Sequence, residues 1–361
     1  MHDNLIAAAG LDAPWRGPAM DWQRHGLHTL APQEIGIVEQ ALRRLQSGAN
    51  KDFQQLTRAD VPLQGLEPLL QRMDRAIQDG PGFALLRGLD TSRYSRDELA
   101  LMFFAIGLHL GQPIIQSHQG EFLGHVINLE DVERNPRGYH TGGHMGMHTD
   151  SCDIVALMCM KSARQGGASR IADARAIVAE IERRRPDLAE TLRRGMYFRR
   201  MEEDAEFGDG PVCSPERIPI YATEDGRFSC YYLGGYIERA VRAGDAVLEP
   251  HEREALDLLN TLAASPAFYL DMQFSDGDMQ FLNNRRILHG RTDYQEDKDM
   301  MQRRHLLRMW LAMPNWPPMP ASQVFHSADD RRAWGQRRVP FMDLPSTYLA
   351  RQAERLAAAA A

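Results

Sequence analysis

The chain is poor in cysteine, and none of the four sits in a metal-type or redox-type pair. Cys152, Cys159, Cys213 and Cys230 form no CxxC and no dense cluster among 361 residues. That spacing excludes a zinc knuckle and a disulfide framework and leaves reduced core thiols. A basic excess is also missing: 42 Lys+Arg stand against 49 Asp+Glu, a formal charge of −7. Nothing in this balance would neutralise a phosphate backbone or an anionic leaflet, so neither a nucleic-acid nor a membrane partner is expected. No apolar run reaches membrane-spanning length. The N-terminus places Asp3 and no Lys or Arg ahead of a short Ala-rich run, unlike a secretory leader. A cytoplasmic location is the expectation. P-loop, GxGxxG and GxSxG patterns are absent, and His251-Glu252 lacks the second histidine of a metalloprotease helix.

What is present is an ordinary globular composition, 43% hydrophobic and 25% charged, which suits one elaborated domain. Residues 1–80 mix Pro/Gly stretches with helical patterns, among them Pro32 to Ser47, and read as a helical N-terminal extension packed on the core. Gly82 opens a short buried strand, and Ser95 caps a helix through Leu110. The Gly-rich stretch from Glu121 to His148 reads as an irregular loop or lid. From Asp150, short apolar runs (Ile154 to Met160, Phe228 to Leu233, then Ala267–Phe274, Met279–Asn284 and His305–Met313) alternate with turns. Two helical patterns interrupt them: Arg175 to Arg194 after an Asp173 cap, and His251 to Ala264. The fold class expected is mainly β with helical insertions, around a double-stranded β-helix or jelly-roll core over residues 81–315. Residues 316–361 read as a C-terminal tail whose Ala-rich end is a frayed helix. No coiled-coil heptad stands out, and a homo-oligomer stays open.

The chemistry gathers at His148-Thr149-Asp150. On an extended backbone, alternation turns His148 and Asp150 to one side and Thr149 to the other. With 13 histidines and 49 acids in 361 residues, about two such pairs arise by chance, so the pair decides nothing alone. His289, in Asn283-Asn-Arg-Arg-Ile-Leu-His-Gly-Arg291, adds the partner. Two histidines and one carboxylate on one side of a metal form the facial set of non-haem Fe(II) oxygenases, which leaves positions open. Zinc hydrolysis by three protein ligands uses the same set. Arg304 and Arg308 separate these readings. On a strand they share a face with Leu306, and a buried guanidinium wants a carboxylate, from a dicarboxylate co-substrate or from a protein acid.

His148-x-Asp150, Asn284-x-Arg286-x-x-His289-Gly-Arg291 and the following Arg304 and Arg308 resemble the taurine dioxygenase and clavaminate synthase-like family over roughly residues 80 to 315. The stretch Met158 to Ser169, with its Gly166-Gly167 turn, is similar as well. The resemblance implies Fe(II) on His148, Asp150 and His289, with 2-oxoglutarate and O2 as co-substrates. It implies Arg304, helped by Ser169, on the distal carboxylate of 2-oxoglutarate. Arg308 would clamp the other carboxylate or an anionic group of the substrate. The implied activity is oxidation, normally hydroxylation, of a C–H bond in a small, anionic metabolite with release of succinate and CO2. The His289–Arg304 spacing is longer than in taurine dioxygenase, and the asparagine before its first ligand is missing, with His144 four residues ahead of His148. The Gly-rich loop just before the first ligand could bring His140 or His144 to the substrate, and His144 is the candidate substrate contact, against a solvated loop histidine. Asn284 and Arg291 could orient His289, or be a turn Asn and a surface Arg. The alternatives kept open are a zinc-type hydrolase and a non-catalytic metal- or 2-oxoglutarate-binding jelly roll.

Overall fold

A computed structural model of the chain describes residues 13–47, 55–134, 136–337 and 343–360. The N-terminal run read for a leader lies mostly outside them. Two sheets form the frame. The larger has seven strands and runs in the order Leu27–Thr29, Phe83–Arg87, Met279–Asn283, Ile154–Lys161, His305–Ala312 and Gln112–Ile114, with Leu123–Ile127 also paired to His305–Ala312. All its pairings are antiparallel except that of Leu27–Thr29 with Phe83–Arg87. The smaller runs Tyr269–Met272, Ser169–Asp173, Ile287–Arg291, Met145–His148, all antiparallel.

Side-chain alternation decides what faces what. Along His305–Ala312, Leu307, Met309 and Leu311 join a core under the helices Pro32–Ser47, Glu67–Gln78 and Arg96–Leu110, whereas Leu306 and Trp310 join Val155, Ile171 and Ile287 between the sheets. Each of these large apolar side chains contributes roughly 1.5–3 kcal/mol by leaving water. Helix Arg96–Leu110 is held by a Ser95–Glu98 capping box and is buried on nearly every side, as a helix lying between a sheet and other helices must be. The helices Ala174–Arg184, Pro186–Arg194 and Pro250–Ala263 cover the outer face of the smaller sheet, against Met147, Ala172 and Leu288. By alternation His148, Ser169, Ile171, His289 and Arg291 are left pointing inward, toward Arg308 from the facing sheet.

The cap at Asp173 and the strand at Ile154 fall where the sequence places them, and the helical pattern through Arg194 is split into two helices before Pro186. Glu121 to His148 does not stay irregular, because it contains the strands Leu123–Ile127 and Met145–His148. Gly124, His125 and Gly146 blur the alternation there, and pairing with His305–Ala312 and Ile287–Arg291 supplies what local propensity lacks. The run at Phe228 is a strand only over Arg227–Cys230, and the helix Gly234–Ala243 follows instead of a turn. All four cysteines are free. Among the described residues no helix is long and apolar enough to cross a membrane.

Two buried histidines join neighbouring strands of the larger sheet. His125 Nε2 lies 2.8 Å from the Asp343 carbonyl, and its Nδ1 lies 2.9 Å from His305 Nε2. Two neutral rings satisfy this chain, with Nε2–H of His125 donating to the carbonyl and His305 donating to His125 Nδ1. Burial pushes His125 down to about 3 and His305 well below its usual range. Because both folded values are depressed, the unfolded chain binds these protons more readily. The stability they confer is complete above about pH 6.5 and declines below it, at about 1.4 kcal/mol per imidazole for each pH unit. Urea unfolding of the metal-free protein at pH 7 and pH 5.5 should show that loss. His125→Asn should flatten the slope; an unchanged slope would contradict the neutral pair.

Candidate active site

The register between Ile287–Arg291 and Met145–His148 sets His289 directly opposite His148, so the two rings emerge side by side with centroids 4.4 Å apart. The strand stops at His148. Thr149 turns away, fully buried, and donates its backbone N–H to the Tyr232 carbonyl. This leaves Asp150 beside the two rings, 4.0 Å from His148 Nε2 through Oδ1 and 3.7 Å from His289 Nε2 through Oδ2. One donor atom from each of the three lies within 4.8 Å of the others. Two metal bonds of about 2.0–2.2 Å end to end span a similar distance.

Protonation states suit a cation. His148 Nδ1–H donates to the Gly146 carbonyl at 2.9 Å, which turns the Nε2 lone pair toward Asp150. A fifth of the His148 side chain faces a cavity, yet the enclosing walls, aided by His289, hold its pKa down to about 4. Burial acts to raise Asp150, but Arg308 and the two histidines outweigh it and hold the carboxyl well below the usual range. Trp310 Nε1–H donates to Asp150 Oδ2 at 3.0 Å and Arg308 Nη1 lies 3.5 Å from the same oxygen, leaving Oδ1 toward His148.

Asn284 fixes the chain at this point. Its Oδ1 accepts from Asp150 N–H at 2.8 Å, and its Nδ2 donates to the carbonyls of Asp150 and Cys152 at 2.6 and 2.7 Å. A turn Asn would leave these groups to water, whereas here they are buried. Asn284→Ala should therefore weaken Fe(II) affinity by about 10–100-fold, as loss of a ligand's supporting bonds does elsewhere. Unchanged affinity by anaerobic titration would show that the loop holds itself.

A narrow cavity of about 50 Å³ runs from His148 and His289 past Ser169 and Leu306 to Arg304. Arg304 lies one residue ahead of its expected strand, which starts at His305 and slips register before Leu306. Its side chain is only 3% exposed. The positive-φ Gly167 makes room for it, since a Cβ there would come within 2.7 Å of Arg304 Nε. Arg304 Nη2 donates to the Gly167 carbonyl at 3.1 Å, while Nη1 is buried with no partner among the described residues. Among the described residues no carboxylate forms a salt bridge with Arg304, although Glu296 accepts its backbone N–H. A protein acid is therefore not what satisfies this guanidinium. Ser169 lies on the same wall, with its hydroxyl donated to Gln280 Oε1 at 2.9 Å.

On the other side of the triad lies a cavity of about 390 Å³ whose walls include Arg137, Asp204, Tyr236 and Arg308. Arg308 borders both cavities, donates Nε–H to Gln116 at 2.8 Å, and lies over Tyr139 and Trp310 at 4.8 and 5.0 Å. Tyr139 also lines both, so the segment read as a loop or lid does reach the site. His144 is not brought there: it is exposed and lines neither cavity. Arg291 is no surface residue, being 4% exposed. Gln116, Arg137, Tyr139, Asp204 and Trp310 belong to the site without having been singled out, and only the inward face shared by Arg308 and Trp310 could have marked one of them.

Residues 48–310 match the taurine catabolism dioxygenase TauD, TfdA family. The chain belongs to that family. As a member it is a non-haem iron dioxygenase that uses 2-oxoglutarate. Among curated relatives it is 28% identical over 335 residues to FR-33289 synthase of Streptomyces rubellomurinus, covering 88% of this chain and 94% of the relative. It is also 28% identical to a taurine hydroxylase-like protein of Stachybotrys chartarum over 308 residues, 82% and 77% of the two. Among solved structures, asparagine oxygenase in complex with Fe(II), 2S,3S-3-hydroxyasparagine and succinate shares the fold at TM-score 0.63 and 17% identity, over 79% of this chain and 93% of that one. The non-heme iron oxygenase OrfP in complex with Fe and alpha-ketoglutaric acid does so at 0.58 and 17%, over 79% and 93%.

Proposed function

We propose that this dioxygenase hydroxylates a C–H bond of a small anionic metabolite, with His148, Asp150 and His289 as the iron ligands and Arg304 as the anchor for 2-oxoglutarate. The observation that carries the assignment is the unpartnered Nη1 of Arg304 at the end of a cavity that begins at the two histidines. The two facing sheets support a double-stranded β-helix core formed within residues 81–315. The described residues before 81 extend it by a strand and packed helices, and those after 315 contribute Phe325 and His326 beside the site.

Iron, when bound, supplies the O2 chemistry that side chains lack. The chain's own residues then have distinct tasks. The His148 and His289 imidazoles and the Asp150 carboxylate would hold the metal from one side and leave room for co-substrate and O2. Arg308 and Trp310 fix Asp150 Oδ2, so the carboxylate presents one oxygen. Arg304 holds the distal carboxylate; Ser169 can add a bond only by releasing Gln280, so Arg304 has the larger part. Leu157 and Leu306 keep water from the narrow cavity. In the wider cavity Arg308 and Arg137 favour an anion, while Asp204, paired with Arg137 at 3.3 Å, tempers the charge. This substrate class is supported by the name of one more relative, a uridine-5'-phosphate dioxygenase from Amycolatopsis sp., 25% identical over 245 residues.

A zinc hydrolase built on the same triad would leave Arg304 without a function. The test is oxygen-dependent formation of succinate from 2-oxoglutarate, screened over phosphate-, phosphonate- and carboxylate-bearing metabolites. Equimolar succinate and hydroxylated product are expected. Hydrolysis by the zinc-loaded protein without oxygen would replace this reading.

A further inference from the structure

The narrow cavity is bordered by a second guanidinium besides Arg304. Arg291 stands directly opposite Ser169 across the Ile287–Arg291 and Ser169–Asp173 pair and lines the same cavity. One of its nitrogens is committed: Nη2 donates to the carbonyls of Thr141 and Gly143, both at 2.7 Å. Its Nε and Nη1 are buried with no partner among the described residues. The Tyr294 ring serves both arginines, 4.9 Å from the Arg291 guanidinium carbon and 5.0 Å from that of Arg304. Among the described residues neither arginine forms a salt bridge, and Arg304 lowers its own proton affinity through burial and through the neighbouring Arg291. Two like charges with three unmet N–H-bearing nitrogens between them are costly to bury unless an anion arrives to meet them.

We propose that Arg291 is a second cationic arm for the distal carboxylate of the co-substrate, and that the pair makes the site selective for 2-oxo acids carrying that second carboxylate. The inference rests on the 2-oxoglutarate reading above. Arg304 and Arg291 approach from the two facing sheets, so together they fix the carboxylate along two directions, which one fork cannot do. Through its two carbonyl bonds Arg291 also ties the occupied end of the cavity to the Thr141–Gly143 segment, next to Tyr139 and the strand of His148.

The test is anaerobic binding of 2-oxoglutarate and of 2-oxobutyrate, which lacks the distal carboxylate, to the Fe(II)-loaded protein. The readout is the absorption of the chelated 2-oxo acid, in wild type, Arg291→Gln and Arg304→Gln. Arg291→Gln should weaken 2-oxoglutarate by about 10–100-fold and leave 2-oxobutyrate unchanged. Arg304→Gln should retain at least about a tenfold preference for 2-oxoglutarate, supplied by Arg291. Equal weakening of both acids in Arg291→Gln, or loss of all preference in Arg304→Gln, would reduce Arg291 to a loop tether and overturn the proposal. If Arg291→Gln does not fold, the Arg304→Gln arm still decides. Failure of wild type to bind 2-oxoglutarate would strike the underlying function instead, so the two failures are distinguishable.

Discussion

His289→Ala yields a folded protein that no longer holds Fe(II) and turns nothing over. The imidazole is one of three donors, and the remaining pair, His148 and Asp150, cannot occupy one side of a metal alone. Removing a mere support of a ligand costs 10–100-fold in affinity, and removing the ligand itself should exceed about a hundredfold. The fold should survive because the ring points into the space between the sheets and its Nδ1 has no hydrogen-bond partner. Truncation therefore breaks no bond at that nitrogen and leaves a void continuous with the cavity. Asp150→Ala is the harsher change, since it takes the carboxylate from Arg308 and the acceptor from Trp310, and a buried cation without its partner destabilises strongly. Metal titration with thermal melts of both variants checks this. Tight iron binding by His289→Ala would remove His289 from the metal site.

Arg304→Gln should weaken 2-oxoglutarate by about 2–5 kcal/mol, or roughly 30- to several-thousand-fold, the cost of truncating one partner of a buried charged pair. Iron affinity should not change, because no contact of Arg304 reaches the triad. Stability gives a second sign. In the empty protein the charge is buried without a counter-ion, and burial holds its pKa below the usual arginine range, so neutralising it should leave the melting temperature of the metal-free protein unchanged or raised. Arg304→Lys restores charge without the planar fork and should recover only part of the affinity. A lowered melting temperature with normal 2-oxoglutarate binding would make Arg304 a structural residue.

The triad could be read in the sequence because an extended backbone has a two-residue period, and His148 and Asp150 do come together although the strand ends at His148. Arg308 was legible for the same reason. Arg304 was placed on the right wall, although the register slip after His305 lies below what residue order reveals. Arg291 was weighed between orienting His289 and lying on the surface, because nothing local shows its contacts with Tyr294, Thr141 and Gly143. Tyr139 and Gln116 come from segments whose strands are made by their partners, so their contacts follow from pairing across nearly two hundred residues. His144 was the opposite case: proximity in sequence to His148 suggested a role, but the residue is on the exposed side of the chain as it enters the strand.

One cavity links the His148, Asp150 and His289 site to Arg304, the proposed anchor for a dicarboxylate. Anaerobic titration of the Fe(II)-loaded protein with 2-oxoglutarate tests it most directly, by the visible charge-transfer band of a chelated 2-oxo acid. A saturable band is expected in wild type, no band in His289→Ala, and a band needing far more co-substrate in Arg304→Gln. A folded, iron-loaded wild type that shows no band, or a band indifferent to Arg304, would contradict it.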